Sequence, residues 1–183
     1  EFVFSGKEKN YSENSKKKPI NLYGKQKLEI ENYIQKKLKK FSILRIAKTY
    51  GDNLQINGLL SDFLNQILKG KKIFHIACDQ IFNPLFVKDL RKIIFFFNKN
   101  EIQGIFNVGG PESYSRYKIC QLIKKKIPKK LQKIVIYKKK LNQINFYEKR
   151  PKNLSMNIKK LKKTINFKLV PIEYIIQKIS RKL

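Results

Sequence analysis

Several short, uninterrupted runs of apolar residues occur along the chain, each bounded by turn residues. This pattern is typical of buried strands. The sequence predicts strands at 1–4 (the end of a strand), 42–47, 72–77, 104–108 and 133–137. The run at 104–108 enters a glycine turn, Gly109-Gly110-Pro111, and we expect both glycines to serve turn geometry there.

Between these runs, apolar residues recur at helical spacing. The sequence predicts helices at 22–40, 55–69 and 87–97, one starting after Ser113 or Ser115, and two more at 158–164 and 171–182. Asn21 is a favourable N-cap for the first helix. Gly24, in its first turn, costs about 1 kcal/mol relative to Ala and predicts a close packing contact. Because strands alternate with helices, the fold class is α/β with a mainly parallel sheet.

The chain is strongly basic, with 42 Lys and Arg against 13 Asp and Glu and a formal net charge of +29. Only five of the basic residues are Arg, whereas nucleic-acid binders use Arg for bidentate contacts. The surplus of Lys, Ile and Asn with little Ala is typical of an AT-rich genome. The charge therefore indicates a solvated surface and disfavours a nucleic-acid interface, although a positive field favours an anionic substrate.

Other classes are excluded by what the sequence lacks. No apolar run approaches the ~18 residues of a membrane span, and no secretory signal pattern opens the chain, so we expect a cytoplasmic protein. Cys78, Cys120 and His75 are too few for a disulfide framework or a Cys/His metal site, and no metal is predicted. We expect both cysteines to be reduced and buried.

Tyr23 and Lys27 are the strongest candidates for chemistry. They lie four residues apart on one helix face, where an ammonium group stabilises the phenolate and favours proton donation. The spacing alone is weak evidence, because four such Tyr/Lys pairs occur in this chain. Only Tyr23 follows a turn, at a capped helix start and before a buried strand.

Around this pair the sequence resembles the extended short-chain dehydrogenase/reductases. The segments 2–6, 11–13 and 21–29 carry the resemblance, which is closest to the branch of dTDP-4-dehydrorhamnose reductase and the regulatory β-subunit of methionine adenosyltransferase. It continues in order through Ile43-Leu44-Arg45, Tyr50-Gly51, Asp79-Gln80, Asn83-Pro84, 87–90, 104–112, Ser115-Arg116-Tyr117, 150–153, Leu161-Lys162 and Pro171.

The resemblance implies a Rossmann-type, doubly wound parallel sheet with a small substrate-binding lobe. Residues 1–50, with 81–111 returning to them, would end the NAD(P)-binding domain, and 51–80 and 112–183 would form the lobe. We expect the chain to be a C-terminal piece, inactive alone, with the glycine-rich βαβ half preceding it. The cofactor would be NADPH or NADH, and the resemblance implies that the residue selecting between them would lie in the preceding half.

The family's catalytic and cofactor-binding roles fall on four residues. Tyr23 would be the proton donor, and Lys27 its partner and a ligand of the nicotinamide ribose. Arg45 leads into the backbone that meets the nicotinamide, so we expect it to bind cofactor. Glu1 stands where this branch often has a catalytic acid, and the Ser or Thr that polarises the substrate carbonyl would precede it.

Substrate contacts are implied for two residues. Arg150 would bind the diphosphate of a nucleotide sugar, because a guanidinium fork matches phosphate geometry. A surface ion pair is the alternative for Arg150. Lys48 stands where rhamnose reductases commonly have an aromatic residue, and Gln26 where a small Ser is usual. These departures put the exact sugar in doubt.

The sequence therefore predicts NAD(P)H-dependent reduction of a 4-keto nucleotide sugar, with dTDP-4-dehydrorhamnose as the first choice. Two alternatives stay open. One is a non-catalytic, NAD(P)-binding regulatory subunit of the same fold, and the other is a related sugar-nucleotide epimerase or reductase. The sequence does not settle the oligomeric state, so a homodimer also stays open.

Overall fold

The computed structural model describes residues 1–56 and 58–183. Its α-helices are α1 (Leu22–Lys37), α2 (Ser61–Leu68), α3 (Val87–Lys99), α4 (Arg116–Lys126), α5 (Lys159–Thr164) and α6 (Ile172–Ser180). Its strands are β1 (Ser42–Ile46), β2 (Thr49–Tyr50), β3 (Ile73–Ala77), β4 (Ile81–Phe82), β5 (Leu85–Phe86), β6 (Gly104–Val108), β7 (Tyr114–Ser115) and β8 (Val135–Lys139). None of the described helices is long and apolar enough to cross a bilayer.

The strands associate in pairs. β1 lies parallel to β6, β3 parallel to β8 and β2 parallel to β5, whereas the short pair β4 and β7 is antiparallel. The two long pairs join distant parts of the chain, as parallel pairing through crossovers requires. This arrangement confirms the α/β class, although the sequence pattern did not indicate the two-residue strands.

The start of α1 follows the local signals in the sequence. The Asn21 side-chain oxygen accepts a hydrogen bond from the Gly24 N–H at 2.9 Å, which confirms the predicted cap. A Cβ on Gly24 would lie 2.3 Å from the Phe2 carbonyl oxygen, so the expected close contact is also confirmed. The helix ends at Lys37, because Leu38 is extended (φ −111°, ψ 130°).

Two predicted elements differ from the structure. Residues 1–4 form a turn rather than the end of a strand, with the Phe4 N–H donating to the Glu1 carbonyl. The helix predicted at 55–69 begins only at Ser61. Asp62 accepts a hydrogen bond from the Gly58 N–H at 2.9 Å, a local bond that competes with an earlier helix start. Position 57 of that prediction lies outside the described residues.

The glycine pair after β6 serves a different purpose from the predicted one. Neither Gly109 nor Gly110 has a positive φ angle. Instead, a Cβ on Gly110 would lie 1.9 Å from the Pro84 carbonyl oxygen, and one on Gly109 would lie 2.8 Å from the Asn83 side chain. Glycine is needed here for the close approach of two backbones at the carboxyl end of β6.

Three apolar clusters stabilise the fold. The largest joins α2, α4 and α6 with β3, around Phe63, Ile123 and Ile176. A second joins α3, β6 and α5, around Ile93 and Leu161. The third, at residues 3–11, 47 and 154–156, buries the N-terminal segment against the chain that leads to α5.

Candidate functional site

A cleft of about 710 Å³ runs between α1 and β1. Its walls include five of the six residues that the sequence analysis singled out, namely Glu1, Tyr23, Lys27, Arg45 and Lys48. The sixth, Arg150, lines an adjacent cavity. Residues separated by up to 47 positions in sequence are therefore brought together on one surface.

Tyr23 and Lys27 stand one turn apart at the start of α1. The Lys27 ammonium lies 5.4 Å from the centroid of the Tyr23 ring, and the Phe2 ring packs edge-on against that ring at 5.5 Å. Tyr23 is 52% exposed. Within the described part of the chain, neither the hydroxyl nor the ammonium has a hydrogen-bond or ion-pair partner, so both are available to a ligand.

Glu1 and Lys48 meet at the carboxyl end of β1. Burial raises the pKa of the Glu1 carboxyl to about 7. The positive charge of the Glu1 amino group, a hydrogen bond from the Lys48 backbone and the charge of Lys48 oppose this shift. One carboxyl oxygen of Glu1 is enclosed without a partner among the described residues. Lys48 is exposed. A carboxyl group whose pKa is raised by burial, beside an exposed ammonium, suits proton exchange and anion binding.

Arg45 is placed differently from the prediction. Its guanidinium is buried and makes a bidentate ion pair with Glu31, at 3.0 and 2.8 Å, and a 2.8 Å hydrogen bond to the Glu13 carbonyl. The guanidinium fork is thus occupied inside the protein. A direct contact between this side chain and a cofactor disagrees with that geometry, and we assign Arg45 to positioning α1 against β1.

Arg150 lies in a neighbouring cavity of about 330 Å³ that shares Phe2 and Tyr23 with the cleft. Its guanidinium stacks on the Phe146 ring at 4.3 Å. No salt bridge involving Arg150 occurs within residues 1–56 and 58–183, so the surface ion pair considered above is absent there. The guanidinium and the Tyr23 phenol therefore border the same space.

The sequence analysis did not identify Arg116 as a residue that lines a cavity. Arg116, at the start of α4, donates from Nε to the Gln80 side chain at 2.9 Å and borders a third cavity. Its neighbours come from three separate elements, α2, β3 and α4. No local pattern in the sequence could have indicated this arrangement.

Comparison with solved structures places this fold. The chain superposes on dTDP-4-dehydrorhamnose reductase from Bacillus anthracis, solved in complex with NADP, with a TM-score of 0.84 and 21% identity. That match covers 100% of this chain and 63% of the other. For the Yersinia enterocolitica reductase the TM-score is 0.86 at 17% identity, over 98% of this chain and 63% of the other. These likenesses show that the chain has a Rossmann-type fold.

The curated relatives include methionine adenosyltransferase 2 subunit beta from Xenopus laevis, which is 30% identical over 129 residues. The match covers 66% of this chain but only 38% of that protein. The chain thus spans less than half the length of the curated relatives it matches.

A family model described as the RmlD substrate binding domain matches residues 1–183. This match covers the whole chain, and the solved structures share its fold from end to end. The chain therefore belongs to the RmlD substrate-binding domain family, within the extended short-chain dehydrogenase/reductases.

Proposed function

We propose that the protein catalyses the NAD(P)H-dependent reduction of a 4-keto nucleotide sugar, with dTDP-4-dehydrorhamnose as the substrate. The observation that carries this proposal is the unpaired Tyr23 and Lys27 on the wall of a cleft that reaches the carboxyl end of β1. In parallel α/β folds, ligands bind outside the carboxyl ends of the strands. The reductases that share this fold act on that substrate, which supports the assignment.

The proton transfer follows from the Tyr23 and Lys27 side chains. A bound reduced nicotinamide would supply the hydride to C4 of the sugar. The Tyr23 hydroxyl donates its proton to the carbonyl oxygen, so that the ketone becomes a hydroxyl group. The Lys27 ammonium stabilises the phenolate that remains. Both groups also fit the ribose end of a nicotinamide cofactor, because they are donors without partners elsewhere in the described chain.

Three further residues receive roles in this proposal. Arg150 binds the diphosphate through its guanidinium, and Lys48 adds positive charge at the end of β1. Glu1 exchanges protons with the site near neutral pH. We also propose that residues 1–50 and 81–111 belong to the cofactor-binding domain and that residues 51–80 and 112–183 form the lobe. Within the lobe, residues 158–169 pack against α3 and β6 of the cofactor-binding domain in one apolar cluster.

A pair of matched variants tests the proposal. Tyr23→Phe in the whole protein removes the proton donor, and we expect NADPH oxidation with dTDP-4-dehydrorhamnose to fall by roughly 10²- to 10⁴-fold while cofactor binding is kept. Tyr33→Phe is the control, since Tyr33 also precedes a Lys by four residues on α1 and is 65% exposed. Full activity in Tyr23→Phe would refute the assignment.

A regulatory role is the second candidate, favoured by the 30% identity to methionine adenosyltransferase 2 subunit beta. In that case the protein would bind a larger enzyme and turn over no sugar. Affinity purification of the protein from its own cells distinguishes the two. The regulatory role would be favoured if an adenosyltransferase co-purifies in stoichiometric amount and the unmodified protein has no reductase activity.

A further inference from the structure

The parallel pair of β3 and β8 carries an exposed apolar face. Ile73 lies opposite Val135 in the register, and His75 lies opposite Tyr137, with their ring centroids 5.3 Å apart and planes inclined by 18°. Ile73, Val135 and Tyr137 are about half exposed, at 55%, 48% and 50%. Phe74, which lies between Ile73 and His75, is buried in the largest apolar cluster. One face of this small sheet is therefore packed, and the other presents apolar and aromatic surface to solvent.

The outer edge of β8 has unpaired backbone groups. The Val135 N–H donates to the Lys72 carbonyl at 2.7 Å, and the parallel ladder continues in register to Lys139. Because alternate residues of a strand direct their N–H and C=O groups to opposite sides, those of Ile136 and Lys138 point away from β3. In the described part of the chain these groups have no hydrogen-bond partner. An edge of this kind can take up an extended segment as an added strand.

Lysines surround this edge. Segment 121–140 contains nine Lys and no acidic residue, and segment 69–72 adds three Lys. The Lys124 ammonium donates to the Ile134 carbonyl, directly before β8, at 2.6 Å. Among residues 1–56 and 58–183, none of these lysines forms a salt bridge. The positive charge beside β8 is therefore not neutralised within the chain.

This charge selects the kind of partner. A second copy of the chain would bring another +29 charge to the edge, so the lysines oppose pairing between two β8 strands. An acidic strand is attracted by the same lysines. Unpaired N–H and C=O groups match another peptide backbone rather than a phosphate backbone, and segment 121–140 contains no Arg for contacts with bases.

We propose that the outer edge of β8 binds an extended, acidic segment of another protein as an added strand. Side chains of a strand alternate between its two faces. The apolar side chains of the partner then extend the face of Val135 and Tyr137, and its acidic side chains lie on the side of Lys138 and α4. The residues of this surface do not line the cleft of Tyr23, so the partner leaves that cleft open.

Fluorescence anisotropy of the whole protein with a labelled peptide that alternates Glu and Val tests the proposal. We expect the peptide to bind, with an affinity that falls as the salt concentration rises. The control is a peptide of the same composition with Glu and Val in separate blocks. It should bind roughly 10-fold more weakly, because it cannot place all its Val side chains on one face. Absence of binding, or equal binding of the two peptides, would overturn the proposal.

Two substitutions at Lys138 separate the backbone contact from the charge. Lys138→Ala removes the ammonium and keeps the N–H. Lys138→Pro also removes the N–H, which points away from β3 and is not needed for the pairing of β3 with β8. We expect Lys138→Pro to bind the alternating peptide roughly 2- to 10-fold more weakly than Lys138→Ala, as the loss of one hydrogen bond predicts. Equal affinities of these two variants would contradict strand addition.

A third variant guards against a folding defect caused by proline. Tyr137→Thr keeps a residue that favours strands and removes the exposed ring. It should weaken peptide binding roughly 3- to 10-fold, while the urea midpoint stays near that of the parent. Tyr174→Thr, which removes a similarly exposed ring on α6, should leave peptide binding unchanged. Equal peptide affinities of the two Thr variants would refute the apolar contact.

Other polyanions provide the last comparison. A single-stranded oligothymidylate and phosphatidylserine vesicles carry negative charge but no peptide backbone, so they should not distinguish Lys138→Pro from Lys138→Ala. If either binds the parent more tightly than the alternating peptide in the same buffer, the surface serves that polyanion and the proposal is wrong. These measurements need no turnover, so their outcome is independent of the proposed reaction.

Discussion

The guanidinium of Arg45 and the carboxylate of Glu31 form a buried bidentate pair that joins the middle of α1 to β1. Both side chains are almost fully enclosed, at 2% and 7% exposure. Glu31 lies one turn beyond Lys27 on the same helix, and Arg45 precedes the segment that carries Lys48. The pair therefore sets the separation of the two walls of the cleft.

Breaking this pair on one side should destabilise the protein strongly. We expect Arg45→Met to lower the free energy of unfolding by about 3–5 kcal/mol, because it leaves the Glu31 carboxylate buried without its partner. The double variant Arg45→Met/Glu31→Leu should recover much of that loss. Urea unfolding of the whole protein measures both, with Lys152→Met, which breaks the exposed pair to Asp79, as the control. A single variant as stable as this control would contradict the prediction.

The pairing of Arg45 also shows where sequence reasoning about the site ends. Tyr23, Lys27, Glu1 and Lys48 line one cleft, and the sequence indicated all four through the motifs around them. The partner of Arg45 lies 14 residues away on another element, and no local pattern indicates it. Arg116 was missed for the same reason, since its cavity exists only when α2, β3 and α4 pack together.

Secondary structure could likewise be predicted where it depends on neighbouring residues, but not where it depends on contacts with distant parts of the chain. Caps at Asn21 and Ser115 could be predicted because they depend on hydrogen bonds within three residues. The apolar run at 2–4 was assigned to a strand, although its burial comes from contacts with residues 154–156. A short apolar run reports burial without specifying backbone conformation.

Gly110 should tolerate no side chain. A Cβ there would lie 1.9 Å from the Pro84 carbonyl oxygen, and a backbone atom cannot move aside as a flexible side chain can. We expect Gly110→Ala to lower the free energy of unfolding by about 2 kcal/mol or more. Gly51→Ala is the matched control, because its Cβ would make only ordinary contacts, at 3.8 Å or more. Equal urea midpoints for the two variants would show that the backbones separate easily.

Asp52 links α3 to α6 through two ion pairs, to Lys88 at 3.0 Å and to Lys178 at 3.3 Å. The hydrogen bond from Lys88, followed by that from Lys178, holds the pKa of Asp52 below its ordinary value of 3.8. A depressed native pKa gives stability that is present above the unfolded pKa and is lost as the pH falls through the native pKa.

We therefore expect Asp52→Asn to reduce the free energy of unfolding at pH 7 by about 1 kcal/mol or less, because both lysines are about half exposed. The difference between parent and variant should shrink as the pH falls below 3.8, and it should also shrink in high salt. Urea unfolding at several pH values measures this. A loss that is the same at pH 7 and at acid pH would mean that Asp52 acts through packing rather than charge.

The two cysteines should differ sharply in reactivity. Cys78 is only partly buried, in contrast to the prediction, whereas Cys120 is buried and its pKa is raised to about 12 by burial, against the opposing charge of Arg116. Because the thiolate is the reactive form, iodoacetamide at pH 8 should modify Cys78 first and leave Cys120 until the protein unfolds. Mass spectrometry of the two peptides measures each rate directly, and Cys78→Ser should remove the fast phase. Equal modification of both peptides in the folded protein would contradict the prediction and would mean that solvent enters the cavity that Arg116 and Cys120 line.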